Sequence, residues 1–543
     1  MISPDEADRI GRRLAELKSL RLPYEGQMRQ CFDYTYPERG EGFTTGPNTI
    51  SDTSGKRAEI YDDTATDGTR ILGSSIIGGM TPANSLWFGL DTGGNDGEMD
   101  TRWLSTAAQF LFDNIHASNF DSAAFECVMD MVGGAGHFVL FIDEAREGGY
   151  RFEQWPVGQC WVSSSTSGGR VDTIYREFPL TVEQIVKEYG IDQVSDTVKK
   201  MHEAKRFDEK IMVTWAIEPR SLHLVGAKMA RNKAFASVHK ETSGSTTLRE
   251  SGFDEFPCAV PRWMLIPGSH YAKSPMSQCL ATVKTLNEVK KLDLQNFELT
   301  AYGMFKARDD GVLNPFTTTI GPRRVVVVSD MDNFQRIEPG GDPKLVAYVV
   351  ENMQRDIRKL LMADQLQPQD GPAMTATEVH ARIMLIRQQL GPIFGRLQSE
   401  WLRPLIERCF GIAYRAGVLE QACGPIPDSL RNRIVNVNYS SPLARAQKLE
   451  EVTAIDTWVL GLLQVATETQ DMSVLDQVNF QYAGQFKADA LGVPSKAVRS
   501  TDEIASIRQA RTEAQQNAAK QAQAQQVQTT AGEAMAKQIA TGG

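Results

Sequence analysis

The chain has 543 residues, 41% hydrophobic and 23% charged, with a formal net charge of −10. Its length suggests roughly three or four domains. The acidic balance argues against a tight nucleic-acid binder, because phosphate neutralisation takes clustered Lys and Arg, yet it leaves room for a protein that DNA slides past.

The seven cysteines, Cys31, Cys127, Cys160, Cys258, Cys279, Cys409 and Cys423, form no CxxC pair, which points to reduced, buried thiols in a cytosolic compartment. The start, MISPDEADRI, lacks a basic-then-apolar leader pattern. Apolar runs such as WVLGLLQVA at 458–466 reach about half the length that spans a bilayer, so a soluble, intracellular product without a membrane partner is expected.

In chain order, residues 3–35 read as one or two amphipathic helices, with Ile10, Leu14, Leu17 and Leu20 at helical spacing. A loop covers 40–55, a second helical region runs from about 56 to 80, and a Gly/Asp-rich loop spans 91–100. Helical pattern returns over 101–132, and then the period changes. Residues 137–143, 158–164, 172–180 and 211–219 are strand-like, and 253–267 continues them with prolines suited to edges and turns.

Ser274-Pro275 supplies an N-cap and a first helical position for a long helix to about residue 300. Its apolar stripe is Leu280, Val283, Leu286, Val289, Leu294 and Phe297. Asp342-Pro343 opens a second helix through Val346, Val350, Met353, Ile357, Leu360 and Leu361, and the forty residues between hold the strand RRVVVVSD at 323–330. A polar loop, ADQLQPQDGPAM, covers 363–374. Thr375 and Glu378 then cap a helix running past 410, which Gly391-Pro392 and Pro404 should kink. The Ala/Gln-rich end has helix propensity and little to pack against alone.

The search for chemistry returns turns and faces. Leu90-Asp91-Thr92-Gly93 matches the core of an aspartic-protease motif, which needs a second such aspartate that the chain lacks. Asp91, Asn95, Asp96, Glu98 and Asp100 could meet calcium, without the EF-hand spacing. Gly133-Gly134-Ala135-Gly136 precedes a strand and reads as a turn, and no GxxxxGK[ST] is present. Histidines such as His116, His137, His270 and His380 stand apart from ligand pairs. No catalytic residue, metal site or cofactor is expected. Lys284, Lys290 and Lys291 on the first long helix and Arg355, Arg358 and Lys359 on the second fit solvated faces, with pairs such as Lys284–Glu288. A DNA-facing role for them is the second reading.

The stretch YDDTATDGTRILGSSIIGGMTPANSLWFGL at 61–90 resembles the N-terminal signature of portal proteins, or head-to-tail connectors, of short-tailed podovirus-type bacteriophages. KTLNEVKKL at 284–292 is similar to their stem-helix segment, and SSPLARAQK at 440–448 to another of their motifs. LGVPSKAVRS at 491–500 and IRQAR at 507–511 are similar to their C-terminal signature.

The resemblance implies a helix-rich α+β subunit that assembles as a dodecameric ring at one capsid vertex of the virion. It implies a conduit for DNA packaging and ejection, not an enzyme. The implied partners are double-stranded DNA, a terminase packaging motor, a tail adaptor, and capsid and scaffolding proteins.

On this chain the resemblance implies a wing over 1–270, stem helices over 271–300 and 342–362, and a clip over 301–341. A tunnel loop would cover 363–375, a kinked wing helix region 376–440, and a crown with its tail 441–543. Thr81, Pro82, Trp87 and Phe88 would anchor the wing, with Gly78 and Gly79 allowing close helix packing. Asp364, Gln365, Gln367, Gln369 and Asp370 would face the bore. Twelve copies at −10 each give −120, a bore that repels DNA and so lets it slide. A non-portal adaptor of the virion is the alternative, and a protease using Asp91 a remote one.

Overall fold

A computed structural model of the chain describes residues 4–40, 43, 53–92, 98–145, 148–224, 229–244, 246–302, 304–307, 334–337, 343–366, 391–430, 436–439, 442–469, 471–491, 503–504 and 506–516. It divides into two compact units, Met1–Trp87 with Phe110–Ala422, and Phe88–Gln109 with Cys423–Gly543.

In the first unit the opening helix is continuous, α1 (Pro4–Asp33). Ile10, Leu14 and Leu17 are buried as the spacing predicts, but Leu20 is 52% exposed and Arg21 only 2%. At about 100° per residue, position 21 continues the face of 10, 14 and 17, whereas 20 leaves it. The Arg21 guanidinium is accommodated because Nη1 donates to the carbonyls of Gly158 (2.8 Å) and Cys160 (2.9 Å), and the group lies 4.3 Å from the Trp161 ring centre.

The region predicted as one helix from 56 to 80 is two, α2 (Thr53–Ala58) and α3 (Thr64–Met80). Asp62 separates them, its Oδ1 accepting from the Thr64 N–H at 3.0 Å. Next come α4 (Glu98–Ala117), which starts in the second unit and ends in the first, and α5 (Phe120–Asp130). The glycines at 133–136 do not form the predicted turn. Met131–Ala135 extends α5 as a π-helical turn, and Gly136 ends it at φ +74°. A Cβ on Gly134 would lie 2.2 Å from the Phe32 ring, so only glycine lets α1 approach.

Two antiparallel sheets follow. β2 (Val139–Glu144), β3 (Tyr150–Trp155) and β9 (Cys258–Ala259) pair in the order β3-β2-β9. The larger sheet runs in chain order through β4 (Cys160–Ser163), β5 (Thr173–Thr181), β6 (Lys210–Pro219), β7 (Phe235–Glu241) and β8 (Thr247–Phe253). Between β5 and β6 in sequence, α6 (Val182–Tyr189) and α7 (Asp196–Glu203) bury Val182, Ile185 and Val198 with Val213 and Leu248. The aromatic centre joins both sheets: Phe141 stacks on Trp155 at 4.7 Å and meets Trp215 edge-on at 5.0 Å. The outer edge of β3 is closed by Asn119, whose amide donates to Phe152 O (2.7 Å) and accepts its N–H (2.9 Å).

The proline-rich stretch after β8 yields β9 and then β10 (Met264–Leu265) paired with β11 (Ala272–Lys273). The long helix α8 (Pro275–Tyr302) follows, then β12 (Met304–Ala307) antiparallel to β13 (Phe334–Ile337), α9 (Pro343–Leu360) and the short α10 (Ala363–Leu366). RRVVVVSD, Thr375 and Glu378 lie outside the described residues.

Helix returns over 391–397 as α11, passes through a π turn at Gln398–Leu402, and continues as α12 (Arg403–Arg415). The distortion sits where Pro404 withholds an N–H from the carbonyl four residues earlier, that of Glu400. Glu400 is held by Arg262: its Oε2 accepts from Arg262 N (3.1 Å) and Nε (3.0 Å). The short α13 (Val418–Cys423) closes this stretch.

In the second unit β1 (Phe88–Asp91) runs antiparallel to β14 (Asn436–Tyr439). Trp103 on α4 donates to Gly424 O at 3.1 Å. The long α14 (Pro442–Thr469) packs on α15 (Phe480–Leu491), with Lys487 bridging to Asp456 at 2.6 Å. Part of the Ala/Gln-rich end, 506–516, is helical. Among the described residues no helix is long and apolar enough to cross a membrane.

Candidate functional site

The feature on which the sequence reading turns is the pair α8 and α9. Ser274 caps α8 as predicted, its Oγ accepting from the Ser277 N–H at 3.0 Å. The two helices share one apolar cluster: Met276, Cys279, Leu280, Val283 and Leu286 from α8, with Val350 and Ile357 from α9 and Leu361 just beyond it. Cys31 of α1 and Ala65 of α3 complete the cluster.

Burial then stops. Leu292, Leu294 and Phe297 are 53–71% exposed, as are Leu345 (62%) and Tyr348 (64%) at the start of α9. Leu294 and Phe297, predicted on the packed stripe, therefore lie outside it in the single chain, as does Leu360 at 42%. One half of the pair is cemented to the body and the other presents large apolar groups to solvent.

Four bonds mark the change. The Asn287 amide of α8 accepts the Tyr61 N–H (2.7 Å) and donates to Glu59 O (2.9 Å). Gln354 of α9 donates to Asp62 Oδ2 (2.7 Å), while Oδ1 of the same carboxylate starts α3. Below them α3 approaches at Gly68, where a Cβ would lie 2.8 Å from Leu361 Cδ1.

The sequence-derived cations do not share one environment. Lys284 reaches α1 rather than Glu288, its Nζ donating to Gln30 Oε1 (2.7 Å) and lying 5.9 Å from the Tyr34 ring centre. Lys290 and Lys291 are half-buried. Arg355 pairs with Glu351 at 3.0 Å on the exposed face of α9, and Arg358 and Lys359 are exposed beside it. Asp364 is half-buried at the first turn of α10. Gln365 lies on that turn, while Gln367, Gln369 and Asp370 lie outside the described residues.

The motif at 61–90 buries Thr81, Trp87 and Phe88. Thr81 N–H closes α3 on Ile77 O at 2.9 Å, Thr81 is buried and Pro82 half-buried. Trp87 is 1% exposed and donates its indole N–H to His116 Nε2 at 3.2 Å. Because an indole can only donate, His116 carries its proton on Nδ1, which donates to Asp121 Oδ1 at 2.9 Å. Phe88, also 1% exposed, opens β1. The expected role of Gly78 and Gly79 is not seen in the single chain: a Cβ on either meets none of the described residues within 4 Å. Close helix packing is carried by Gly68 and by Gly73, where a Cβ would lie 2.8 Å from Met129 Sδ.

The titratable groups behave as fasteners. Burial pushes the thiols of Cys31, Cys160 and Cys279 up to about 12, so they stay protonated, and all seven cysteines are free. Burial lowers His137 to about 4 and His239 to about 3, keeping both neutral. Asp130 is raised by burial to about 6 against the pull of Arg39 and Gln154. Asp91 ends β1 opposite Asn436. Among the described residues no group of three or more His, Cys, Asp or Glu could hold a metal.

The helix pair is thus rooted on α1 and α3 through one apolar cluster. A family model described as bacteriophage head to tail connecting protein matches residues 7–498, and the chain belongs to that family. It is 28% identical over 537 residues to the "Portal protein" of Salmonella phage epsilon15, covering 94% of this chain and 92% of that protein. It is also 28% identical over 519 residues to the "Probable portal protein" of Bordetella phage BPP-1, covering 93% and 91%. A solved chain from the "Neck of empty GTA particle computed with C6 symmetry" is similar at 12% identity and a TM-score of 0.31, over 75% of this chain and 91% of that one, a likeness too slight to define the fold.

Proposed function

We propose that the chain is one subunit of a dodecameric portal ring at a capsid vertex, through which double-stranded DNA enters and leaves the virion. The observation that carries this is the α8–α9 pair, whose far half exposes Leu292, Leu294, Phe297, Leu345 and Tyr348 in a member of the connector family. Large apolar groups at that density are stable when covered, and copies of the same chain side by side supply the cover. In this reading 271–300 and 342–362 are the stem, 301–341 the clip, 363–375 the tunnel loop, 1–270 and 376–440 the wing, and 441–543 the crown.

The ring acts as a passive conduit and as the platform for the terminase motor, the tail adaptor, and the capsid and scaffolding proteins. Exposed Arg355, Arg358 and Lys359 are the α9 cations placed to meet phosphate, with Lys290 and Lys291 as partly buried seconds; Lys284 is spent on α1. The acidic balance of the subunit keeps contact with DNA weak, which suits sliding. Asp364, Gln365, Gln367, Gln369 and Asp370 complete the lining with carboxylates and amides that make brief hydrogen bonds. Electron microscopy of the purified chain tests the reading. Rings of about twelve subunits with an axial hole wide enough for a duplex are expected. Monomers or closed dimers at high concentration, or rings without a bore, would overturn it.

A further inference from the structure

We propose that residues Glu59–Asp62 form a strap that sets the pose of the α8–α9 pair, with Asn287 and Asp62 as its positioning residues. The inference concerns the single chain and goes beyond the ring reading. Its first ground is the pattern of bonds. The Asn287 amide makes two main-chain bonds to the strap, the pairing an adjacent strand residue would make. Gln354 fastens the other helix to the Asp62 carboxylate. One four-residue segment thus holds both helices, although they lie more than 200 residues away in the chain.

The second ground is independent and lies in burial. Among the described residues the last fully buried apolar side chain of α8, Leu286, immediately precedes Asn287. On α9 the buried Val350 and Ile357 flank Gln354. Past Asn287, α8 continues for fifteen residues to Tyr302, about 22 Å of helix at 1.5 Å per residue. That far arm leads to the antiparallel β12–β13 pair and has exposed apolar groups on both helices. The strap therefore sits where a held segment becomes a projecting one, which is the place of a fulcrum. It is also tied to the body, since Asp62 starts α3, and α3 in turn meets Leu361 at Gly68. Tilt of the arm and the start of α3 are fixed by the same carboxylate.

Amide hydrogen exchange on the full-length chain tests this, comparing Asn287→Leu, which removes both main-chain bonds and keeps the branching of the side chain, with Asn287→Asp, which keeps the acceptor for Tyr61 and loses the donor to Glu59. The expected result for Asn287→Leu is exchange roughly tenfold faster over 288–302 and 343–349, with α3 and α5 at wild-type rates. Asn287→Asp should show a smaller rise in the same segments. Wild-type rates in the arm for both variants would overturn the proposal. So would a rise spread evenly over the first unit in both, because that marks a general loss of stability rather than a released fulcrum.

Discussion

Trp155 and Trp458 are the same residue in opposite circumstances. Trp155 is fully buried in the first unit, stacked on Phe141 and 4.8 Å from Trp215. Trp458 on α14 is 47% exposed, in company with Leu460, Leu463 and Val465 on the same helix and Phe480 and Tyr482 on α15. The sheet body of the first unit covers its large aromatic groups, whereas its α8–α9 arm leaves Phe297 and Tyr348 exposed. Among its described residues the second unit leaves α14 with large apolar groups exposed on several sides, a pattern that suits cover by further chain. The sheet body of the first unit is covered within one chain, whereas the exposed groups of α8–α9 and α14 are the ones that the proposed ring would cover.

The largest effect that would break this contrast lies at Arg262 and Glu400, with 4% and 9% of their side chains exposed. Arg262→Met leaves a buried carboxylate without its partner, and a loss of about 3–5 kcal/mol is expected. Urea unfolding followed by tryptophan fluorescence reads it. A loss under about 1 kcal/mol would mean that water already reaches Glu400 and that the π turn is not anchored there.

Glycines give a sharper version. Gly134→Ala puts a methyl into the Phe32 ring and should cost about 1–3 kcal/mol or more. Gly78→Ala and Gly79→Ala meet open space and should each stabilise by about 0.5–1 kcal/mol, because alanine is the better helix former. Equal costs for Gly134→Ala and Gly78→Ala would show that local helix propensity, not close approach, decides these positions.

How much of this was legible follows from the kind of signal each element gives. β2, β4, β5 and β6 announce themselves by aromatic and β-branched runs. β7 (FASVHKE) does not, because its buried positions include Ser237, His239, Lys240 and Glu241. These are tolerated through partners far off in sequence: Trp215 donates to Ser237, Tyr189 meets His239 at 2.8 Å, and Glu241 accepts from Ser195 N–H. No local pattern contains such pairings. For the same reason Ser274 was readable as a cap three residues from its partner, while Asn287 read only as part of a solvated helix. The bond that gives it a role spans 226 positions to Tyr61. The exposed ends of α8 and α9 carried a packed stripe in sequence because periodicity records that a face is to be covered, not by which chain.

A further effect depends on pH. Asp130 in the fold sits at about 6, above its ordinary 3.8, so its contribution is present below about 3.8 and lost as pH rises to about 6. His137 and His239 are depressed to about 4 and 3 from 6.5, so theirs is present above 6.5 and lost as pH falls below it. Between pH 6.5 and 4 the two histidines outweigh the single carboxylate, and the first unit should weaken on acidification. Asp130→Asn removes the opposing term. Its decline over that window should be steeper than wild type by roughly 2–3 kcal/mol. Parallel urea midpoints at pH 6.5 and 4.5 for both proteins would remove Asp130 from the account.

The smallest effect on the single chain should be the most telling for assembly. Trp458→Ser and Leu463→Ser alter groups that are 47% and 48% exposed, so chain stability should move by no more than about 0.5 kcal/mol. On an ideal helix the two positions lie about 140° apart, on opposite flanks of the stripe that buries Val452 and Ala466. Two flanks on one helix suit two different neighbours, the head-to-tail contact that closes into a ring, rather than one self-complementary face. Each substitution alone should therefore lower the ring fraction in sedimentation, and either flank lost should break the same kind of contact. If only one of them matters, α14 uses a single face. Unchanged rings in both would mean that assembly is carried by the α8–α9 pair without help from the second unit.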